Sequence, residues 1–472
     1  MTALVTRRQL LKAGIAGGAG LALGNLPLAA VRAAARTTST LPSGSSAPFD
    51  HVIVCMLENR SFDHFLGWLP GANGKQAGLS FLDTNGVSHG TFDLAPDYQG
   101  CSYADPDHSW QGGLVQMDGG KNDGFLKTAL PGDVLPIGYY TQDTVNVLGT
   151  LVQNFATSDN YFCAILSATY PNRFYQHSAQ TDRDSTTTTA PNGQQYSLLP
   201  AIWDQLTPLG TVGTVPTGRY YASDLPFTAL WGPRYLPFTT TFDQFLIDCA
   251  AGTLPNVAFV DPSFNGESQG VSRDDHPHAD VRAGEAFVDQ VYTAVRNSPN
   301  WGRTVLVFNY DEWGGFYDHV PPPQVIDNNQ VPNTGMNTKQ LGFRVPLAVV
   351  SPLAGQGTIT SGGAPFEHTS VLKMIEWRFG LNAMTARDAN ARNLAEILDP
   401  ARLSGAVGPR TDLVTPPTPA TAVSLPCSAL TPPASVPETG WVPGLAVGSA
   451  AAAGAVMVRQ HNRARAETPP GY

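Results

Sequence analysis

Four short runs of the chain are almost continuously apolar and rich in β-branched residues: HVIVCML (51–57), NVAFVDP (256–262), TVLVFNY (304–310) and PLAVVSP (346–352). Each breaks at a polar or proline-containing turn, the pattern of a strand covered on both faces. Between them apolar positions recur at helical spacing in LPAIWDQL (199–206), GEAFVDQVYTAVRNS (284–298) and HTSVLKMIEWRFG (368–380). Strands alternating with helices predict an α/β sandwich around a mainly parallel sheet. In such sheets ligands bind beyond the carboxyl ends of the strands.

That rule gives weight to how the runs end. The first delivers Glu58 and Asn59 into a turn; the third delivers Asp311 and Glu312, followed after Trp313 by a Gly-Gly pair that lets another group approach closely. One such pair reads as a solvated turn. Two pairs at one sheet edge read as oxygen ligands for a divalent metal ion, with Ca, Mg, Mn and Zn all open. A nucleophile is offered by AILSATYPNRFYQHSAQ (164–180), where Ser167 and Thr169 stand just ahead of Pro171, a residue suited to the first turn of a helix. A hydroxyl there meets the helix's positive end, a natural place for phosphate. Histidines lie in DPDHSW (His108), DDHPH (His276, His278) and YDHVPPP (His319). Imidazole both holds phosphoryl oxygens and protonates a leaving alkoxide near neutral pH.

Composition changes the picture mainly at the ends. Residues 1–36 carry Arg7-Arg8 ahead of a Gly/Ala-rich apolar run and read as a twin-arginine signal peptide, implying export by the twin-arginine translocase. Residues 411–435 are a Pro/Thr-rich spacer. Residues 436–472 run VPETG, an apolar stretch, then RQHNRAR, the order of a sortase sorting signal or a plain membrane anchor, which implies a cell-wall or cell-surface protein. With residues 1–36 and 440–472 set aside, 20 bases face 37 acids, so the net charge is −17 against −10 for the whole chain. Such a domain repels nucleic acid and anionic surfaces, while zwitterionic or small phosphorylated substrates remain. No linker interrupts the region before residue 410, so residues 48–410 read as one catalytic domain. Of five cysteines, Cys55 reads as buried and free, and Cys101 and Cys163 as able to pair after export.

The segments ENRSFDHFLG, DPDHSW with GGKNDGF, SATYPNR, AIWDQL with GRYYASDLPFTALWG, DDHPHADVRAGEAFV and YDEWGGFYDHVPPP stand in a telling order. The chain resembles the bacterial phosphoesterase family, which contains the non-haemolytic phospholipases C and related acid phosphatases, over residues 50–395. The resemblance implies an alkaline-phosphatase-like three-layer sandwich. It implies a metal held by Glu58, Asn59, Asp311 and Glu312, with Thr169 as nucleophile and further ligand. It makes His108 and His276 phosphate-binding or acid/base residues and His319 a further member of that group. Threonine at position 169, together with GGKNDGF, favours a phospholipase C acting on a phospholipid. Two alternatives stay open: an acid phosphatase acting on small phosphomonoesters, and a non-catalytic surface-binding protein. Within RYYASD (219–224), Tyr221 and Asp224 are candidates to cradle a quaternary ammonium head group.

Overall fold

The computed structural model describes residues 41–210, 216–422 and 427. The signal-peptide and sorting-signal readings, residues 1–36 and 436–472, lie outside them, as does most of the C-terminal half of the spacer. No helix among the described residues is long and apolar enough to cross a membrane.

Among the described residues nine strands form the main sheet: β1 (His51–Leu57), β2 (Ala156–Ser158), β3 (Thr207–Pro208), β4 (Thr217–Ala222), β5 (Thr239–Thr241), β6 (Val257–Asp261), β7 (Thr304–Tyr310), β8 (Leu347–Val350) and β9 (Thr358–Thr360). Their order is β5-β4-β6-β1-β7-β8-β2-β9, with β3 paired to β4. β1 lies at the centre, parallel to both β6 and β7; β8 runs antiparallel to β7 and β2. Every residue of β6, β7 and β8 is buried, and all of β1 after His51, so the four continuous apolar runs are core strands as their composition requires.

The helices that border the site or pack on the core are α1 (Phe62–Leu66), α2 (Trp110–Met117), α3 (Asn146–Asn154), α4 (Thr169–Ser178), α5 (Phe242–Ala251), α6 (Val281–Arg296) and α7 (His368–Phe379). Helices cover both faces of the sheet, giving the expected three layers. α6 and α7 occupy two of the three segments with helical spacing. The third, LPAIWDQL, forms only a 3-10 turn, Ile202–Gln205. Pro200 before it and Pro208 after it leave no room for a continued helix.

Cysteine pairing differs from the expectation drawn from the sequence. Cys101 is bonded to Cys427, while Cys163 is free and buried with Cys55 and Cys249. Cys163 lies in the core, its Sγ against Gly342, and burial pushes its thiol well up, so it has no route to the partly exposed Cys101. The start of the spacer is also attached: Val414 O accepts from Tyr292 Oη (2.8 Å) and Arg296 Nη1 (2.7 Å), both on α6.

Candidate active site

The site is built where β1 and β7 end side by side. Asn59 takes a left-handed backbone (φ 60°), a conformation asparagine tolerates better than most residues, and this turns the chain just past Glu58. The two endings are laced together: Asn59 N and Glu312 N both donate to Asp311 Oδ1 (3.1 and 2.7 Å), and Arg60 N donates to Glu312 O (3.1 Å). The Gly-Gly pair is needed for this closeness. A Cβ at Gly314 would stand 2.2 Å from Asn59 O, and one at Gly315 would stand 2.6 Å from Pro106 Cβ.

Thr169 opens α4, with Pro171 in the first turn, and its Oγ1 lies 3.4 Å from Asn59 Oδ1. All four strand-end residues and Thr169 are buried. One turn along α4, Arg173 reaches into the same space. Its guanidinium meets Glu58 Oε1 at 2.9 Å, Asp311 Oδ2 at 3.2 Å and Asp261 Oδ1, from the end of β6, at 3.5 Å. Burial pushes Glu58 well above the ordinary carboxylate range, with Arg173 opposing, and pushes Asp261 up to about 7. Glu58, Asp261 and Asp311 thus crowd three buried acids around one guanidinium, with Glu267 lining the same small cavity and Glu312 buried next to Asp311. Carboxylates whose ionisation burial resists become anionic when a divalent cation lies among them. A cavity of about 20 Å³ between Glu58, Thr169, Arg173 and Glu267 has room for one ion or water. Of the five ligands expected from the sequence, Glu58 and Thr169 line this cavity, while Asn59, Asp311 and Glu312 are buried at the neighbouring strand ends; Glu267 and His276 bring further donor atoms to within 4.8 Å of Glu58, so donors and space fit a metal ion there.

His108 and His276 face each other with ring centroids 6.0 Å apart. Each Nδ1 contacts a backbone carbonyl, Pro106 O at 2.6 Å and Pro277 O at 2.5 Å, which fixes the tautomer with the lone pair on Nε2. His276 comes within 4.8 Å of carboxylates of both Glu58 and Glu267, and separately groups with His108 and Asp105. A second, larger cavity, about 540 Å³, opens beside His108 and Ala168.

Three candidates from the sequence are placed elsewhere. His319 Nδ1 is 2.5 Å from Asp63 Oδ2 and its Nε2 is 3.1 Å from Asn73 Oδ1, in a group closed by Asp318 and Arg344. There the Arg344 guanidinium already balances Asp63 and Asp318. Tyr221 is fully buried in β4, bonded to Asp248 of α5, so it cannot meet a head group; the adjacent Tyr220 points the other way, to Asp261, as strand alternation requires. Asp224 accepts from Phe264 N and Asn265 N (both 2.8 Å), fixing the loop that lays Phe264 over Arg173. It supports the site without lining it. Conversely, the sequence pattern did not single out Arg173, Asp261 or Glu267.

A family model described as the phosphoesterase family matches residues 49–211 and 220–382. The chain belongs to that family. It is a phosphoester hydrolase. Among curated proteins it is 32% identical over 397 residues to non-specific phospholipase C6 of Arabidopsis thaliana, covering 78% of this chain and 74% of that one. It is likewise 32% identical over 414 residues to phospholipase C B of Mycobacterium tuberculosis, covering 74% and 78%. Solved structures that match include a protein in the alkaline phosphatase superfamily from Vibrio parahaemolyticus (TM-score 0.35, 9% identity, 75% of this chain and 71% of that one). The lipoteichoic acid synthase LtaP from Listeria monocytogenes also matches (TM-score 0.35, 8% identity, 73% and 74%).

Proposed function

We propose that this phosphoesterase is a phospholipase C that cleaves zwitterionic phospholipids of the phosphatidylcholine type through a phosphothreonine intermediate on Thr169. The observation that carries the reading is the position of Thr169 Oγ1 at the start of α4, against Asn59 Oδ1 and beside two acid-bearing strand ends. The names of the curated relatives support the substrate class. A divalent ion bound among the carboxylates supplies Lewis acidity and charge neutralisation at phosphorus.

The chain's own residues do the rest. Thr169 enters as the alkoxide, its proton having passed to solvent, and its Oγ1 bonds to phosphorus as the bond to diacylglycerol breaks. The departing oxygen takes a proton from the imidazolium of His108 or His276. Water then gives a proton back to that imidazole, bonds to phosphorus and expels Thr169, releasing the phosphorylated head group. The test is a panel of phosphatidylcholine, phosphatidylglycerol and an aryl phosphate, each with and without chelator. Chelator-sensitive turnover led by phosphatidylcholine is expected. Turnover of the aryl phosphate alone would make the protein a phosphomonoesterase.

We infer further that the protein is exported by the twin-arginine route and joined to the cell wall through Thr439. The Cys101–Cys427 disulfide supports an oxidising destination.

A further inference from the structure

Beside the nucleophile lies a cavity of about 540 Å³, within the range of small-molecule sites. Its wall includes His108 and Ala168, the residue before Thr169, so it lies next to the nucleophile of the proposed reaction. We propose that this cavity is a subsite for the cationic amino group of the head group, and that Asp184, with Asp105, sets the preference for zwitterionic over anionic lipids. The substrate class rests on the phospholipase reading; the cavity's affinity for a cation does not.

The chemistry of the wall is one-sided. Three carboxylates line it, Asp105, Asp107 and Asp184, with no Lys or Arg among its described lining residues. Asp107 Oδ1 is engaged by Ser109 N (2.9 Å), and Asp184 Oδ1 by the hydroxyl of its neighbour Ser185 (3.2 Å). Asp105 adds its carboxylate to the wall on the side of His108 and His276, with which it groups within 4.8 Å. Trp110 adds an indole, the best aromatic surface for an ammonium.

The small cavity at Thr169 and this larger one beside it differ in charge. At Thr169 the amino end of α4 and the Arg173 guanidinium favour the phosphate; beyond His108 the aspartates favour positive charge. A phosphate with an amine a few bonds away matches that order. Acyl chains do not, since they would strip water from carboxylates without replacing it. Tyr221 and Asp224 are not available to the amine: one is buried against Asp248 and the other accepts from backbone amides.

The test compares wild type, Asp184→Asn and Asp184→Glu on mixed micelles of phosphatidylcholine, phosphatidylethanolamine or phosphatidylglycerol. The readout is the ratio of kcat/KM for each zwitterionic lipid to that for phosphatidylglycerol, which partial misfolding does not alter. The ratio should fall about tenfold in Asp184→Asn, as for loss of one charge-assisted contact, and be retained in Asp184→Glu. A larger fall for phosphatidylethanolamine means the carboxylates act as hydrogen-bond acceptors; an equal fall means charge alone. An unchanged ratio overturns the proposal. In a second arm, phosphocholine, phosphoethanolamine and glycerol phosphate compete with aryl phosphate hydrolysis. The two amines should inhibit more strongly in wild type and lose that advantage in Asp184→Asn. If no lipid is cleaved while the aryl phosphate is, the phospholipase reading fails. This arm then decides the cavity alone, and equal inhibition by all three overturns it.

Discussion

Thr169 and Arg173 share one face of α4, one turn apart; in the proposed mechanism the first makes the bond to phosphorus, and the second balances the charge of the acids around it. Removing the hydroxyl in Thr169→Ala leaves the packing of a small buried side chain nearly intact but takes away the atom that bonds to phosphorus. A fall of several powers of ten in kcat is expected, with an unchanged thermal midpoint. Single-turnover assay with thermal unfolding checks it, and near-normal turnover would move suspicion to Ser167. The strand-end acids were legible because each follows a strongly apolar run. Asp261 follows such a run too, in NVAFVDP, and the same rule would have found it. Arg173 is visible only once α4 is known to start at Thr169, since its relation to the nucleophile is one of helical spacing. Tyr221 misled because aromatic and acidic residues near each other suggest a cation site, whereas the strand's alternation sends neighbours to opposite faces.

At the level of elements, the site depends on two parallel strands ending in register, Leu57 opposite Tyr310. Each strand brings one pair of oxygen-bearing side chains, so neither pair alone holds a divalent ion well. Glu58→Gln and Asp311→Asn should each lower bound metal to less than about half, read by atomic spectroscopy of purified protein. Loss in only one variant would contradict a site shared between strands. Helix α3 offers a separate test. Its first amides, Val147 N and Leu148 N, donate to Glu285 of α6 (2.5 and 3.3 Å), and burial, with Asp275 adding to it, pushes Glu285 from an ordinary 4.5 up to about 8. Because the folded-state value is raised, the native state keeps a proton the unfolded chain releases. Stability is therefore full below about 4.5 and declines as pH climbs towards 8. Glu285→Gln removes that dependence, so stability followed by thermal unfolding should fall less steeply between about pH 5 and 8 in the variant, the difference reaching about a few kcal/mol at most. Parallel curves would show Glu285 ionised throughout. α3 itself escaped detection in the sequence: NVLGTLVQN is short, with Gly149 in its middle, and what holds its amino end is a glutamate far along the chain.

For the molecule as a whole, the four apolar runs and the strand-helix alternation made the three-layer architecture readable, while the edges of the sheet were not. β2, β3, β5 and β9 are two or three residues long, and pairing partners rather than pattern make them strands. The organisation of the tail carries the last prediction. If VPETG is a sorting signal, wall-degrading enzyme should release the protein with a C-terminal peptide ending at Thr439. The apolar run Trp441 to Val458 would by then have been removed. Detergent extraction with that run still attached would instead identify a membrane anchor. The Cys101–Cys427 bond bears on how such a tether would behave. A pull on the chain beyond residue 427 enters the domain at Cys101 as well as through the backbone, so the load is shared with the loop that leads to His108 and does not peel the chain away from its C-terminal end. By the same geometry a protease cut anywhere between 411 and 426 leaves tail and enzyme joined, and the two halves part on a gel only after a thiol is added.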